Sequence, residues 1–285
     1  MVRKIPSGVP GLDLLSGGGI NTNTATVVIG GSGAGKTLFA TQFLKRGLED
    51  GCEGIYITLD EPPKQILQSS LDMGWTTLER AVESEQLVFV DASGRALSDF
   101  IRKELPDFTD EWKGSRARIV IDPLTPVLWV SSDKYQQRDL VSQFFRETKK
   151  IGTVLCTLEE HGSLGNLSHP DTIIPMYLAD AVIHLRYAVS EEVASRKLKI
   201  IKFRRSRHST RYHRYHIIHG LGLLVEALRK SYTREEVNAA LKNLPEDAQA
   251  RVRDVMRHVD TADLRDVDAT YLLALLIKEH GGLND

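Results

Sequence analysis

Ala25-Thr26-Val27-Val28-Ile29 runs directly into Gly30-Gly31-Ser32-Gly33-Ala34-Gly35-Lys36-Thr37, and that junction decides the fold. The first five residues are the β-branched and small types of a buried strand. Leu38, Phe39, Phe43 and Leu44 then recur at helical spacing, so the glycine-rich segment joins a strand to a helix. Glycines at 30, 31, 33 and 35 are expected to take positive φ and turn backbone N–H groups inward around a phosphate. The helix N-terminus adds partial positive charge at the same point. Residues Gly31, Ser32, Gly33, Ala34, Gly35, Lys36, Thr37 and Leu38 therefore form a candidate nucleotide cradle. Lys36 is placed to meet the β- and γ-phosphates of ATP, and the Thr37 hydroxyl to ligate Mg²⁺.

Working outward, short apolar runs alternate with helical patterns. Gly54–Leu59, Gln86–Val90, Ala117–Ile121 and the run holding Thr153–Thr157 read as strands, as do Ala181–Leu185 and Leu198–Lys202. Pro62-Pro63 opens a helix, and Leu140–Phe145 lies in another. The succession predicts an α/β fold: a mostly parallel twisted sheet flanked by helices, with antiparallel edge strands. After about Leu228 the pattern becomes wholly helical, over 233–244, 246–258 and 267–280, with Thr233 and Glu236 as a capping box and Pro245 and 260–266 as breaks. We expect an ATPase domain over 1–228 and a helical extension over 229–285.

Binding is not hydrolysis, which needs acids at neighbouring strand ends. Asp122, after Arg118-Ile119-Val120-Ile121, fits the second metal-site group. Asp60 and Glu61 follow Leu59, where open α/β sheets place their ligands, and are the candidate catalytic carboxylates. Their mutual repulsion is expected to raise the proton affinity of one and suit it to general-base work. The competing reading makes them favourable acids ahead of a helix. Thr157 is a candidate γ-phosphate sensor.

Ser195–His216 carries nine Lys or Arg, three His and no acid. Strict alternation puts Lys202 and Arg204 on one face with Leu198 and Ile200, as cations reaching a phosphate, most plainly that of a neighbouring copy. A basic edge strand guarded against pairing is the plainer alternative. Nucleic-acid binding, with Tyr212 and Tyr215 stacking on bases, is a third.

Composition narrows the classes. The net charge is −1, Cys52 and Cys156 show no metal or disulfide spacing, and both read as reduced thiols in apolar strand-like surroundings. The first residues lack the apolar core of a signal peptide, and no apolar run approaches a membrane span. A cytoplasmic protein is expected. The tail's acidic balance disfavours DNA and favours packing or a protein partner.

With these residues in hand, the chain resembles the KaiC-like branch of the RecA superfamily over about 3–226. The resemblance rests on Ile5–Asp13, Gly35–Phe39, Asp60–Pro63, Gly74-Trp75, Ile121-Asp122, Ala179–Ile183 and Lys202–His208. It implies a RecA-like P-loop fold, with ATP and Mg²⁺ between subunits of a ring, commonly a hexamer. The P-loop would lie on one subunit, and Lys202, Phe203, Arg204, Ser206 and His208 would come from the next. Three departures stand out. The usual Glu-Glu pair is Asp60-Glu61; the Ser after the metal-site Asp is Pro123; and the autokinase acceptor positions are Met176-Tyr177. Slow hydrolysis is expected and autophosphorylation at that place is unsupported. The chain has a single ATPase unit and looks like single-domain archaeal relatives, some of which serve signalling or the archaellum motor. The leading reading is a ring-forming, nucleotide-dependent regulator. The others are a recombinase-like DNA-binding ATPase and a scaffold that holds ATP without turnover.

Overall fold

The computed structural model describes residues 3–93, 97–160, 167–189, 194–228, 230–259, 264 and 267–283. Its strands are β1 (Lys4–Ile5), β2 (Ile20–Asn21), β3 (Ala25–Gly30), β4 (Gly54–Thr58), β5 (Leu87–Asp91), β6 (Arg118–Asp122), β7 (Thr153–Glu159), β8 (Ala181–Val189), β9 (Ala194–Phe203), β10 (His213–Ile218) and β11 (Gly222–Val225). The helices are α1 (Leu12–Ser16), α2 (Lys36–Glu49), α3 (Pro63–Asp72), α4 (Thr77–Glu83), α5 (Leu97–Asp99) and α6 (Leu105–Glu111), the last two joined by a π-helical turn. They continue as α7 (Thr125–Trp129), α8 (Lys134–Ile151), α9 (Pro170–Leu178), α10 (Arg234–Asn243), α11 (Glu246–His258) and α12 (Ala269–Glu279).

Nine strands form one sheet in the order β11-β10-β9-β8-β3-β7-β6-β4-β5. From β8 to β5 every pairing is parallel, and β9, β10 and β11 complete it antiparallel. Strands buried on both faces read as continuous apolar runs. All six residues of β3 are buried, and alternate side chains enter opposite cores. Val27 and Ile29 join Phe144, Val141 and Leu128 beneath α7 and α8. Val28 joins Phe39, Phe43 and Leu78 beneath α2 and α4. The site-bearing loops thus emerge from the most buried strands, which hold them rigidly. Among the described residues, no helix is long and apolar enough to cross a membrane.

The tail folds as its pattern predicts. Thr233 caps α10 with the reciprocal Glu236 bond, and Asp268 accepts from Thr270 and Tyr271 N–H to cap α12. Positions 260–263 and 265–266 of the expected break lie outside the described residues. A third core joins Leu275, Leu276 and Val252 of the tail to Ile218, Leu221 and Leu224 of the sheet edge. At this seam Glu279 accepts the Gly11 N–H at 2.6 Å. Burial, with the nearby Asp13 carboxyl adding to it, pushes Glu279 up to about 8, against the opposing Gly11 N–H and Arg46.

The docked tail therefore keeps a proton that the unfolded chain releases near 4.5. Stability falls as pH rises between those values and levels above them. Glu279→Gln keeps an acceptor for Gly11 and cannot ionise. It is expected to raise the melting temperature by about 2–6 °C at pH 8.5 and to leave it nearly unchanged at pH 5. Melting curves with the same pH slope in both proteins would refute this.

Candidate nucleotide site

The strand β3 ends at Gly30, where an added Cβ would meet the Leu185 carbonyl oxygen at 2.4 Å, so the chain can leave the sheet here only as glycine. Positive φ occurs at Gly33 (73°) and Gly35 (89°), whereas Gly30 and Gly31 do not take it, contrary to the expectation for all four. Gly35 is the N-cap of α2 and no side chain caps that turn, which leaves the first amides of the helix facing the loop. Ser32 and Gly33 are exposed, and Lys36 Nζ donates to the Gly31 carbonyl at 3.1 Å. Burial lowers the Lys36 pKa, and the carboxylates of Glu159, Asp122 and Glu160 oppose the shift.

Behind the loop lies a brace from the antiparallel strands. Tyr215 of β10 donates its hydroxyl to the Ala34 carbonyl at 2.7 Å, and a Cβ on Gly35 would lie 3.1 Å from Ile217. Tyr187 of β8 lies against Gly33, with the Arg196 guanidinium 4.4 Å from its ring centroid. Tyr215 is 1 % exposed. The stacking role considered for it is therefore excluded: aromatic-plus-basic composition did not reveal that its hydroxyl is committed to the loop. Tyr212, 46 % exposed, remains on the surface beside Lys199.

Asp122 ends β6, buried, with Oδ2 accepting from Tyr56 at 2.6 Å and Oδ1 accepting from Thr157. Burial, reinforced by Asp122 itself, pushes the Tyr56 phenol well above its ordinary pKa and keeps it a donor. Thr157 is fully buried two residues before the end of β7, and its hydroxyl is committed to Asp122. Asp60 and Glu61 are exposed at the end of β4, the strand paired with β6. The Thr58 hydroxyl donates to the Glu61 carbonyl and fixes that turn. Partial burial, then Asp122, then Asp60 raise the Glu61 pKa, the direction expected of a general base. Thr37 lies in the first turn of α2 and Asp122 ends β6, and both carry oxygen donors of the kind a hard cation takes. Among the described residues no three His, Cys, Asp or Glu side chains form a cage that would hold a metal by themselves.

Pattern reading missed two acids. Glu159 lies in register with Gly30, and the Glu160 N–H donates to the Gly30 carbonyl at 3.1 Å. Their signal was available as two carboxylates ending a strand, as at Asp60-Glu61. Cys156 is buried in β7, but Cys52 lies half-buried in the turn before β4 and not in a strand.

The basic segment is placed differently from strict alternation. Lys202 pairs with Val182 and Ile200 with Ile183, leaving Ile201 unpaired in a β-bulge. The extra residue reverses the faces. Phe203, not Lys202, shares the core with Leu198 and Ile200, and Ile201 packs into the opposite core. In the strand order β9 lies inside the sheet, but β10 pairs only with its Lys197 and Leu198. Lys202 Nζ donates to the carbonyls of Met176 (3.0 Å), Tyr177 (3.0 Å) and Ala179 (2.6 Å) at the end of α9, the side of the helix dipole that favours a cation. Arg204, with its side chain 51 % exposed, donates to the Tyr177 carbonyl at 3.1 Å. Phe203 is buried with Lys4 Nζ 4.9 Å from its ring centroid. Ser206 donates to the Ser16 carbonyl, and His208 Nδ1 lies 3.0 Å from the Ser209 carbonyl.

This group sits at the opposite end of the sheet from the chain's own loop. Asp180 bonds both the Arg204 N–H, through its carbonyl, and the Ala25 N–H, through its carboxylate, which marks the start of β3. The loop lies at the far end of that strand, roughly 17 Å away at about 3.3 Å per residue. The structure brings together residues 31–38, Asp60, Glu61 and Asp122, and holds Lys202 and Arg204 apart from them.

A profile of the family described as "ATPase: KaiC" matches residues 5–229. The chain is 28 % identical over 235 residues to circadian clock protein KaiC3 of Synechocystis sp., covering 79 % of this chain and 46 % of that protein. It is 31 % identical over 229 residues to the circadian clock oscillator protein KaiC of Prochlorococcus marinus, covering 73 % and 43 %. The KaiC of Thermostichus vulcanus is 29 % identical over 267 residues, covering 86 % and 49 %. The chain thus spans less than half the length of each of these relatives. A phosphate-binding loop on the central strand, an acid held at the end of β6 and a family match across four-fifths of the sequence give one conclusion: the chain belongs to the KaiC family of RecA-superfamily ATPases.

Proposed function

We propose that this protein binds ATP with Mg²⁺ at the interface between two copies of itself, hydrolyses it slowly, and acts as a nucleotide-dependent regulator in the cytoplasm. The observation that carries the reading is the separation of two half-sites within one chain. One end of the sheet presents the loop, Thr37, Asp122 and Glu61; the other presents Arg204 on the surface and Lys202 partly so. Copies arranged head to tail close into a ring of such interfaces, and a hexamer is the proposed size. Residues 1–228 form the ATPase unit and 229–285 an extension for packing or a protein partner. The names of the relatives support a regulatory, clock-type role.

In this scheme Lys36 and the loop amides hold the β- and γ-phosphates, and Thr37 holds the metal. Asp122, oriented by Tyr56 and Thr157, would help Thr37 hold Mg²⁺. When bound, the ion would supply neutralisation of charge at the phosphate oxygens. Glu61 takes the proton of the attacking water, and Asp60 serves chiefly to raise its basicity. Glu61→Gln keeps the shape and loses the base, so hydrolysis is expected to fall roughly 10²-fold with ATP still bound. If Asp60→Asn slows turnover and Glu61→Gln does not, the two roles are reversed. Light scattering with and without Mg·ATP, with phosphate release on the same sample, tests assembly and turnover together.

A second reading, assembly on DNA, draws on the exposed Arg204, Arg205, Arg207, Arg211 and Arg214. It predicts single-stranded DNA binding with a steep salt dependence. Absence of such binding at moderate salt excludes it.

A further inference from the structure

The phosphate loop contains a peptide unit, Ala34–Gly35, that is held from outside the loop. The buried Tyr215 hydroxyl donates to the Ala34 carbonyl at 2.7 Å, and burial raises the phenol pKa, which keeps it a donor. The unit is trans, so it is planar, with its C=O and N–H pointing in opposite directions. A carbonyl drawn toward β10 therefore turns the Gly35 N–H away from β10. The neighbouring polar groups are already used. The Ala34 N–H closes a turn on the Gly31 carbonyl at 3.3 Å, and the Gly35 carbonyl accepts from Phe39 at the start of α2. The Gly35 N–H has no acceptor among the described residues. The strand that carries the hydroxyl is itself clamped: Tyr215 and Ile217 pack with the α2 core, and Ile218 with the tail.

Glycine makes that orientation reversible. Gly35 sits at φ 89°, and glycine takes either sign of φ at little cost, so the unit can turn over about its two ends. Reversal would aim the Ala34 carbonyl oxygen where the N–H pointed, and a carbonyl dipole repels a phosphate that an N–H attracts. Loss of the hydroxyl supplies a drive for it, because a buried carbonyl without a donor pays its full desolvation cost. We infer that Tyr215 is a positioning residue of the nucleotide site: its hydroxyl holds the Ala34–Gly35 peptide so that the Gly35 N–H is presented to the α- and β-phosphates. The inference rests on the phosphate-loop reading above and adds to it a residue from a strand remote in sequence.

The sequence offers a direct probe, since Ala34-Gly35 is its only Ala-Gly step. Deuterated full-length protein labelled with ¹³C-carbonyl alanine and ¹⁵N-glycine therefore gives a single carbonyl–amide cross-peak, that of the Gly35 amide. Mg·ADP carries both phosphates and is the ligand added. In the wild type the Gly35 amide proton is expected to move to lower field on saturation and to become protected from solvent exchange. Tyr215→Phe keeps the ring and removes only the hydroxyl. It is expected to weaken Mg·ADP binding roughly 10- to 100-fold by calorimetry, the scale of one hydrogen bond to a charged group. In that variant, at saturating Mg·ADP, the low-field shift is expected to be lost. A tyrosine that serves only packing lowers the melting temperature and leaves both the affinity and the Gly35 response as in the wild type; that result overturns the inference. If Tyr215→Phe does not fold, the wild-type spectrum still tests it: a Gly35 peak unmoved by saturating Mg·ADP refutes the orientation the hydroxyl is said to hold. Wild-type protein that binds neither Mg·ADP nor Mg·ATP overturns the phosphate-loop reading and this inference together. Normal wild-type binding with an equally tight Tyr215→Phe variant overturns this inference alone.

Discussion

Lys36→Ala is expected to abolish ATP binding, and hydrolysis with it, while the melting temperature stays within a few degrees of wild type. The side chain begins α2 and reaches back over the loop, where its ammonium meets the Gly31 carbonyl and the field of Glu159, Asp122 and Glu160. Removing it leaves the field of those carboxylates at the loop without the Lys36 ammonium to offset it. Coulomb repulsion then replaces attraction, and the loss of a charge-assisted bond adds to it. Little apolar area goes with it, and alanine is a better helix former at the first position of α2. The fold therefore has no reason to fail. Calorimetric titration with Mg·ATP and a thermal melt on the same preparation check both halves. Unchanged nucleotide affinity in a folded variant would remove the basis of the phosphate-loop assignment.

Which parts of this were legible beforehand follows from the range of the interactions involved. The loop was legible because strand, turn glycines and helix start occupy one continuous stretch, so each piece confirms the next. Asp122 and Glu61 were legible for a related reason: the carboxyl ends of parallel strands converge, and an acid there has a short list of uses. The capping box at Thr233 was local in the same sense. The faces of β9 were not, because a period of two holds only while the ladder is unbroken. A single unpaired residue at Ile201 moved Lys202 from one side of the sheet to the other. Tyr215 was misjudged because its partner, the Ala34 carbonyl, is distant in sequence and is a backbone atom that no pattern marks.

Arg204→Ala is expected to lower hydrolysis by about 10³-fold, the scale of removing a cation that meets a transferring phosphoryl group, with the bound nucleotide retained. The reason for choosing Arg204 over Lys202 is structural. Lys202 is committed to three carbonyls ending α9, so its loss disturbs the helix terminus, whereas half of the Arg204 side chain faces solvent. Its distance from the loop of its own chain makes a further demand. If Arg204 serves a neighbour, every interface in a pure Lys36→Ala assembly is dead, and so is every interface in a pure Arg204→Ala assembly. An assembly mixed from the two contains interfaces that join an intact loop to an intact arginine. At random exchange and equal amounts, about one interface in four has both, so hydrolysis is expected to return to roughly a quarter of wild type. If Arg204 acted within its own chain, no mixture would contain a complete site. Phosphate release is measured after subunit exchange has been confirmed by fluorescence transfer between labelled copies. Exchange without recovered activity would refute the shared site and leave the cations of β9 as caps of α9 and a solvated surface.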